Sequence, residues 1–286
     1  KNWSEVKSSV IKAYRSFDDE IGDFVSELFD NHQVDYVDRP GRVNLKFCYP
    51  SFKKKTAFVF FTYTGIMNDA YVAAHEIGHA VYSYFTDTNQ RLLNRDYSSC
   101  IAETGSIFGE LLLTEQLVKD CDTNELRIEI LAKVLDRFYQ LAFHTGIWAL
   151  FERDVYEFIE SGGYLDADKA CEIWRENRHK LYGDNVDWVK NSEYEWPTWG
   201  QLFRPNFRFY NYTYCFAQMV VYALYNDFKR GESDFNERFK TLLSRGGSMS
   251  PREQLAELGY DITRPGFWQL GIKQADTFLD DLRRLI

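Results

Sequence analysis

Over the first 30 positions, Val6, Ile11, Phe17, Ile21, Phe24, Val25 and Leu28 recur at near-helical spacing, with charged residues between them. The pattern predicts one long amphipathic helix over residues 3–30. Pro40 and Gly41 then break the chain, and two runs rich in Val, Phe, Tyr and Thr follow at 43–49 and 57–63. Such residues suit a pleated surface, so the runs predict a β-hairpin with Lys53, Lys54 and Lys55 in its turn. Beyond Gly65 the periodicity is helical almost to the end. Helices are predicted over about residues 69–86, 98–120, 124–161, 166–181, 209–230, 234–244 and 274–285. Asn68 or Asp69 can cap the first of these by accepting a bond from a free N–H of its first turn. The one long loop, 182–206, is rich in Trp, Asn, Gly and Pro. No repeat or Gly/Ser-rich linker divides the chain, so residues 1–286 read as a single mainly α domain with a small β element.

Composition narrows the function. A chain of 286 residues, 45% hydrophobic and 27% charged, has the makings of a substantial core. Its 23 Phe, 19 Tyr and 7 Trp could line a groove as well as fill that core. The formal charge of −9 and the lack of any large Lys/Arg cluster argue against nucleic acid as a partner. No apolar stretch approaches the roughly 20 residues of a membrane helix, and the first residues lack the apolar core of a signal peptide. Five scattered cysteines without a CxxC pair read as reduced thiols in the cytosol. The first residue is Lys rather than Met, the mark of a processed product or of a piece of something longer.

The chemistry concentrates in HEIGH, residues 75–79. Positions four apart on a helix differ by only about 40° around its axis, so His75 and His79 project from one face and can reach one ion. Glu76 lies beside that face, where a carboxylate can act as general base without occupying the coordination sphere. A hydrolytic zinc site needs a third protein ligand and leaves a fourth position for water. The next predicted helix contains ETGSIFGE, with Glu103 and Glu110 seven apart and so on one face of an apolar, small-residue helix. Two acids there are expensive to bury without a cation. Glu103 is assigned as third ligand and Glu110 as the acceptor of a ligand imidazole N–H. Gly78 and Ala80 flank His79 with the small bulk a crowded metal site requires. A chance match weighs little, because the chain has only 5 histidines. His144 reads as a packed residue of an apolar helix, His32 and His179 as surface residues, and Cys100 as core.

These residues resemble the oligoendopeptidase F branch of the thimet oligopeptidase-like zinc peptidases, over nearly the whole chain. YTGIMNDAYVAAHEIGHAVYSYF is similar to the family's strand, Gly turn and active-site helix, and AETGSIFGELLL to its third-ligand helix. FRPNFRFYNYTYCFAQ resembles its tyrosine-rich segment, and LLSRGGSMSPREQLAELGYDITRPGFW its C-terminal signature. The resemblance implies a zincin-type domain with one zinc per chain on His75, His79 and Glu103, hydrolysing short peptides with Glu76 as base. It implies phenol donors to the oxyanion, Tyr214 first and Tyr212 second with Tyr210 weaker, and substrate contacts at Gly65, Tyr210 and Asn206. The strand ending at Gly65 resembles the edge strand on which such enzymes bind substrate backbone. Three departures stand out: Asn206 replaces a usual histidine, Tyr82 replaces another, and the chain matches only the catalytic half of the family's usual length. That half-length leads one to expect an exposed apolar surface, and a separate N-terminal-half chain or a homo-oligomer as partner. The competing readings are a zinc-containing peptide-binding or regulatory subunit with little turnover, and trimming from one peptide end. Cobalt or manganese would suit the same donors, although tetrahedral preference favours zinc.

Overall fold

The computed structural model describes residues 2–43, 45–231 and 233–286, which form two compact units, 1–136 with 217–286, and 137–216. In chain order the first unit holds α1 (Trp3–Phe17), α2 (Asp19–Asp30), β1 (Val34–Asp35), β2 (Phe47–Ser51), β3 (Thr56–Phe60), α3 (Met67–Asn89), α4 (Thr104–Lys119) and most of α5 (Asn124–Phe138). The second unit holds α6 (Thr145–Glu160), α7 (Ala167–Tyr182) and the start of α8 (Asn211–Lys229), up to Phe216. The rest of α8 returns to the first unit, followed by α9 (Phe235–Ser244), α10 (Pro251–Glu257) and α11 (Pro265–Arg283).

The expected single helix over 3–30 is two helices. Asp18 adopts extended backbone (φ −157°, ψ 133°) and its carboxylate accepts the Ile21 N–H at 3.2 Å, so it ends α1 and caps α2. The two helices fold back on each other closely enough that a Cβ on Gly22 would lie 2.6 Å from that of Arg15. The expected hairpin is present as antiparallel β2 and β3 with the three lysines in its turn. Asn44, inside the run predicted as the first strand, lies outside the described residues.

The sheet order is β1-β3-β2, with β1 parallel to β3 through Val34↔Val59. This corrects the edge-strand expectation. The strand leading to Gly65 is central, and the antiparallel edge among the described residues is β2. Past β3, the Phe61 carbonyl takes the Arg42 guanidinium and the Phe61 N–H donates to the Asp35 carbonyl. Ala57 and Val59 are buried, while Phe47, Tyr49 and Phe58 face outward and are exposed, as are Val43 and Leu45 just before the edge.

Helix boundaries depart from expectation where local hydrogen bonding overrides periodicity. α4 begins at Thr104 rather than 98, after turns closed by Ile101 N–H on Ser98 O and Thr104 N–H on Ile101 O. The run 124–161 is interrupted by a π-helical turn, Tyr139–His144. α11 starts at Pro265, nine residues before expectation. α10 was not expected at all, although Ser250 and Glu253 form its capping box.

Aromatic side chains build the core of each unit. In the first unit Phe108 of α4 meets Phe239 at 4.3 Å and Phe17 at 5.0 Å between ring centroids. In the second, Trp148 packs on Trp174 at 4.1 Å, and Trp196, Trp199 and Leu202 of the long loop cover them. The loop itself is a chain of short 3₁₀ turns.

Candidate metal centre

The site rests on the crossing of α3 and α4. Gly78 and Gly105 face each other so closely that a Cβ on Gly78 would sit 2.4 Å from the Gly105 carbonyl oxygen, and one on Gly105 2.5 Å from that of Gly78. The small bulk at Gly78 thus serves helix contact rather than room around a metal. One turn on, Gly109 leaves space for the buried Tyr14 phenol, which donates to the Ala74 carbonyl at 2.7 Å. Tyr14 joins α1 to the back of the site.

This crossing brings the expected donors together. His75 Nε2 lies 3.2 Å and His79 Nε2 3.4 Å from one oxygen, Oε2 of Glu103, and the three donor atoms fall within 4.8 Å of one another. Donors about 2.0–2.1 Å from a tetrahedral ion stand about 3.3 Å apart, so the set fits zinc. On its other nitrogen, His75 Nδ1–H donates to Glu110 Oε1 at 2.6 Å, which directs the Nε2 lone pair toward the donor cluster. Ser106, which sequence reasoning passed over, donates its hydroxyl to Glu103 Oε2 at 2.7 Å and fixes the carboxylate's rotation. Its signal was the small residue three positions after Glu103.

The same carboxylates shift the titration of the donors. Burial pulls the His75 imidazole down, but hydrogen bonds and charge from Glu103 and Glu110 outweigh it and push the group up to about 10. Burial brings His79 down to about 4, with Glu103 opposing only partly. Burial would raise the Glu103 carboxyl, yet His75, His79 and Ser106 hold it well below the usual range. Glu76 is buried, and that burial raises its carboxyl, with Glu103 and Glu110 adding to the rise and His75 and Lys46 opposing it. Two buried carboxylates, Glu76 and Glu110, with the half-buried Glu103 beside them, make the pocket between the two imidazoles favourable to a cation.

Gly65 sits in left-handed backbone (φ +93°), and its N–H is committed to Asp69 Oδ2 at 2.8 Å. Asp69 also takes the N–H groups of Thr64 and Ile66. It therefore ties down the turn before α3 rather than capping the helix's own first turn, and Asn68 instead accepts from Lys133. Tyr82 is buried in the first unit and stacked on Tyr97 at 4.0 Å. Cys100 is half-buried rather than core, and all five cysteines are free.

The remaining expected residues belong to the second unit. Tyr210 and Tyr214 approach edge to face at 5.4 Å, Tyr212 is exposed two positions before Tyr214, and Asn206 is exposed in a 3₁₀ turn. His144 is half-buried, its ring 6.5 Å from Trp148. His32 and His179 are exposed as expected.

The chain is similar to oligoendopeptidase F of Lactococcus lactis subsp. cremoris, 24% identical over 285 residues, covering 100% of this chain and 47% of that protein. Among solved structures, a candidate peptidase from Chlamydophila abortus matches with a TM-score of 0.89 at 24% identity, over 100% of this chain and 48% of that one. Oligoendopeptidase-F from Enterococcus faecium matches at 0.72 and 20% identity, over 98% and 43%. These likenesses share the mainly α, zincin-type fold, and the chain spans about half the length of the curated relatives it matches. No described helix is long and apolar enough to cross a membrane. The family model for peptidase family M3 matches residues 10–273, nearly the whole of both units, and the chain belongs to that family.

Proposed function

We propose that this chain is a zinc-dependent endopeptidase domain, in which the 286 residues act together to hydrolyse internal bonds of short oligopeptides in the cytosol. The observation that carries the reading is the pair of histidine nitrogens 3.2 and 3.4 Å from one carboxylate oxygen, with a buried glutamate beside them on α3.

His75, His79 and Glu103 would hold one zinc ion, which when bound polarises a carbonyl and lowers the pKa of water. Glu76 is the proton carrier. Burial raises its carboxyl, so it takes a proton from the attacking water more readily than a solvated glutamate and returns it to the leaving amine. Glu110 holds the Nδ1 proton of His75 and so keeps Nε2 free as a donor. Phenols supply hydrogen bonds to the oxyanion, from Tyr214 first and Tyr212 second in this reading. At Gly65 only the carbonyl remains to meet substrate backbone, because Asp69 holds its N–H.

The test pairs wild type with Glu76→Gln on quenched peptides of about 6 to 20 residues, with bound metal quantified in both. Equal metal with cleavage in the wild type alone supports the reading, and the cut positions separate internal cleavage from end-trimming. Equal metal without cleavage in either defeats it in favour of a peptide-binding subunit, the alternative to which Asn206 points.

A further inference from the structure

Residue 209, just before the tyrosine pair, has backbone in the left-handed region (φ +55°) although it is Phe. A bulky residue keeps such a conformation only where its surroundings hold it. The holder is α6. Glu152, 4% exposed, accepts the Phe209 N–H on Oε1 at 2.8 Å. One turn along the same face, the Tyr156 ring lies 4.9 Å from that of Phe209. A second tie follows two residues on, where the fully buried Asn211 accepts the Trp199 indole N–H at 3.0 Å, with Trp199 stacked on Trp148 in the core. The segment entering α8 is thus fastened at 209 and 211, on either side of Tyr210 and one turn before Tyr214.

A buried carboxylate is a costly way to satisfy one backbone N–H and one side-chain amide. Burial pushes the Glu152 carboxyl up, and its hydrogen bonds from the Phe209 N–H and the Asn211 side chain oppose that rise. A neutral acceptor would be cheaper if satisfying the N–H were all that mattered. The charged acceptor gives a stronger bond, suited to holding a strained turn in one conformation. We propose that Glu152 is a positioning residue, clamping Phe209 in left-handed backbone so that the Tyr210–Tyr214 pair is presented in a single orientation. The proposal rests on the reading of Tyr214 as an oxyanion donor.

The full chain is compared as wild type, Glu152→Ala, Glu152→Gln and Glu152→Ala with Phe209→Gly. Losing a buried charge-assisted bond should speed amide exchange over 209–214 by about 10-fold or more in Glu152→Ala. The core helices α6 and α7 should keep their protection. On peptide substrate kcat should fall about 10- to 100-fold with KM within about 3-fold, because a mis-set oxyanion donor is felt in the transition state. Glu152→Gln keeps an acceptor oxygen without the charge and should recover only part of the loss. Phe209→Gly removes the steric objection to positive φ and should restore kcat several-fold over Glu152→Ala alone. Unchanged exchange in Glu152→Ala overturns the clamp. Faster exchange with unaltered kcat overturns the positioning role and leaves the peptidase reading intact. A wild type that binds metal but cleaves nothing removes the reading itself, and the proposal with it.

Discussion

Gly78→Ala is the sharpest probe of how the donor set is built. Its Cβ would lie 2.4 Å from Gly105 O, 2.5 Å from Ser106 Cα and 2.7 Å from Gly105 C, all backbone atoms that no rotamer change can move. Ordinary contact begins near 3.4 Å, so α3 and α4 must part by about 1 Å. His75 and His79 ride on α3 and Glu103 leads into α4, so donor spacings of 3.2 and 3.4 Å would open beyond about 4 Å. That exceeds the roughly 3.3 Å edge of a zinc tetrahedron. Two separable losses follow. Overpacking should cost about 1–3 kcal/mol of stability, a drop of some 4–8 °C in melting midpoint for about 2 kcal/mol, read with chelator present so that metal linkage does not contribute. Zinc affinity, from competition with a chromophoric chelator, should fall about 100-fold or more. Gly266→Ala in the first turn of α11, where a Cβ meets nothing within 4 Å, is the control and should leave both properties intact or add slight stability. A Gly78→Ala chain that binds zinc within about threefold of wild type would refute the idea that backbone contact sets the donor spacing.

Glu110→Gln should weaken zinc binding about 10- to 100-fold while the melting midpoint of the chelator-treated chain changes little, since the carboxylate acts through the His75 tautomer. A larger effect on the chelated protein than on affinity would count against that role. Glu115 joins α4 to α8, held by Lys119 at 2.9 Å, Lys229 at 3.0 Å and the Tyr225 hydroxyl at 2.8 Å. Burial alone would raise its carboxyl, but these partners bring it down to about 2. Because the folded value lies below the free one, the contribution is full above about pH 4.5 and disappears as pH falls toward 2. Both lysines are partly exposed, so Glu115→Gln should cost about 1–2 kcal/mol near neutrality and almost nothing near pH 2, measured by urea unfolding across pH. A pH-independent difference would contradict this account.

The proposed metal donors and their partner were legible because their chemistry is written at helical spacing: His75 and His79 stand four positions apart, Glu103 and Glu110 seven. What escaped is set by contacts the periodicity does not encode. Asp18 carried a capping signal that the continuous apolar stripe of α1 and α2 masked. β1 is two residues long and exists only because Val34 and Asp35 lie beside β3. The central place of β3 follows from that parallel pairing, so a reading that saw only a hairpin put an edge at the strand leading to Gly65. Ser106 and Tyr14 act on the site through distances that only tertiary packing creates, although the glycines of α4 hinted at a close approach.

Glu103 occupies the position immediately before α4, and this has an electrostatic consequence. The peptide dipoles of a helix about 24 Å long converge on its first turn as roughly half a positive charge. The proposed third ligand is therefore an anion set where the helix field already favours one, which lightens the charge that a bound ion would have to balance. A neutral ligand at 103 would keep the donor count yet leave that field unanswered.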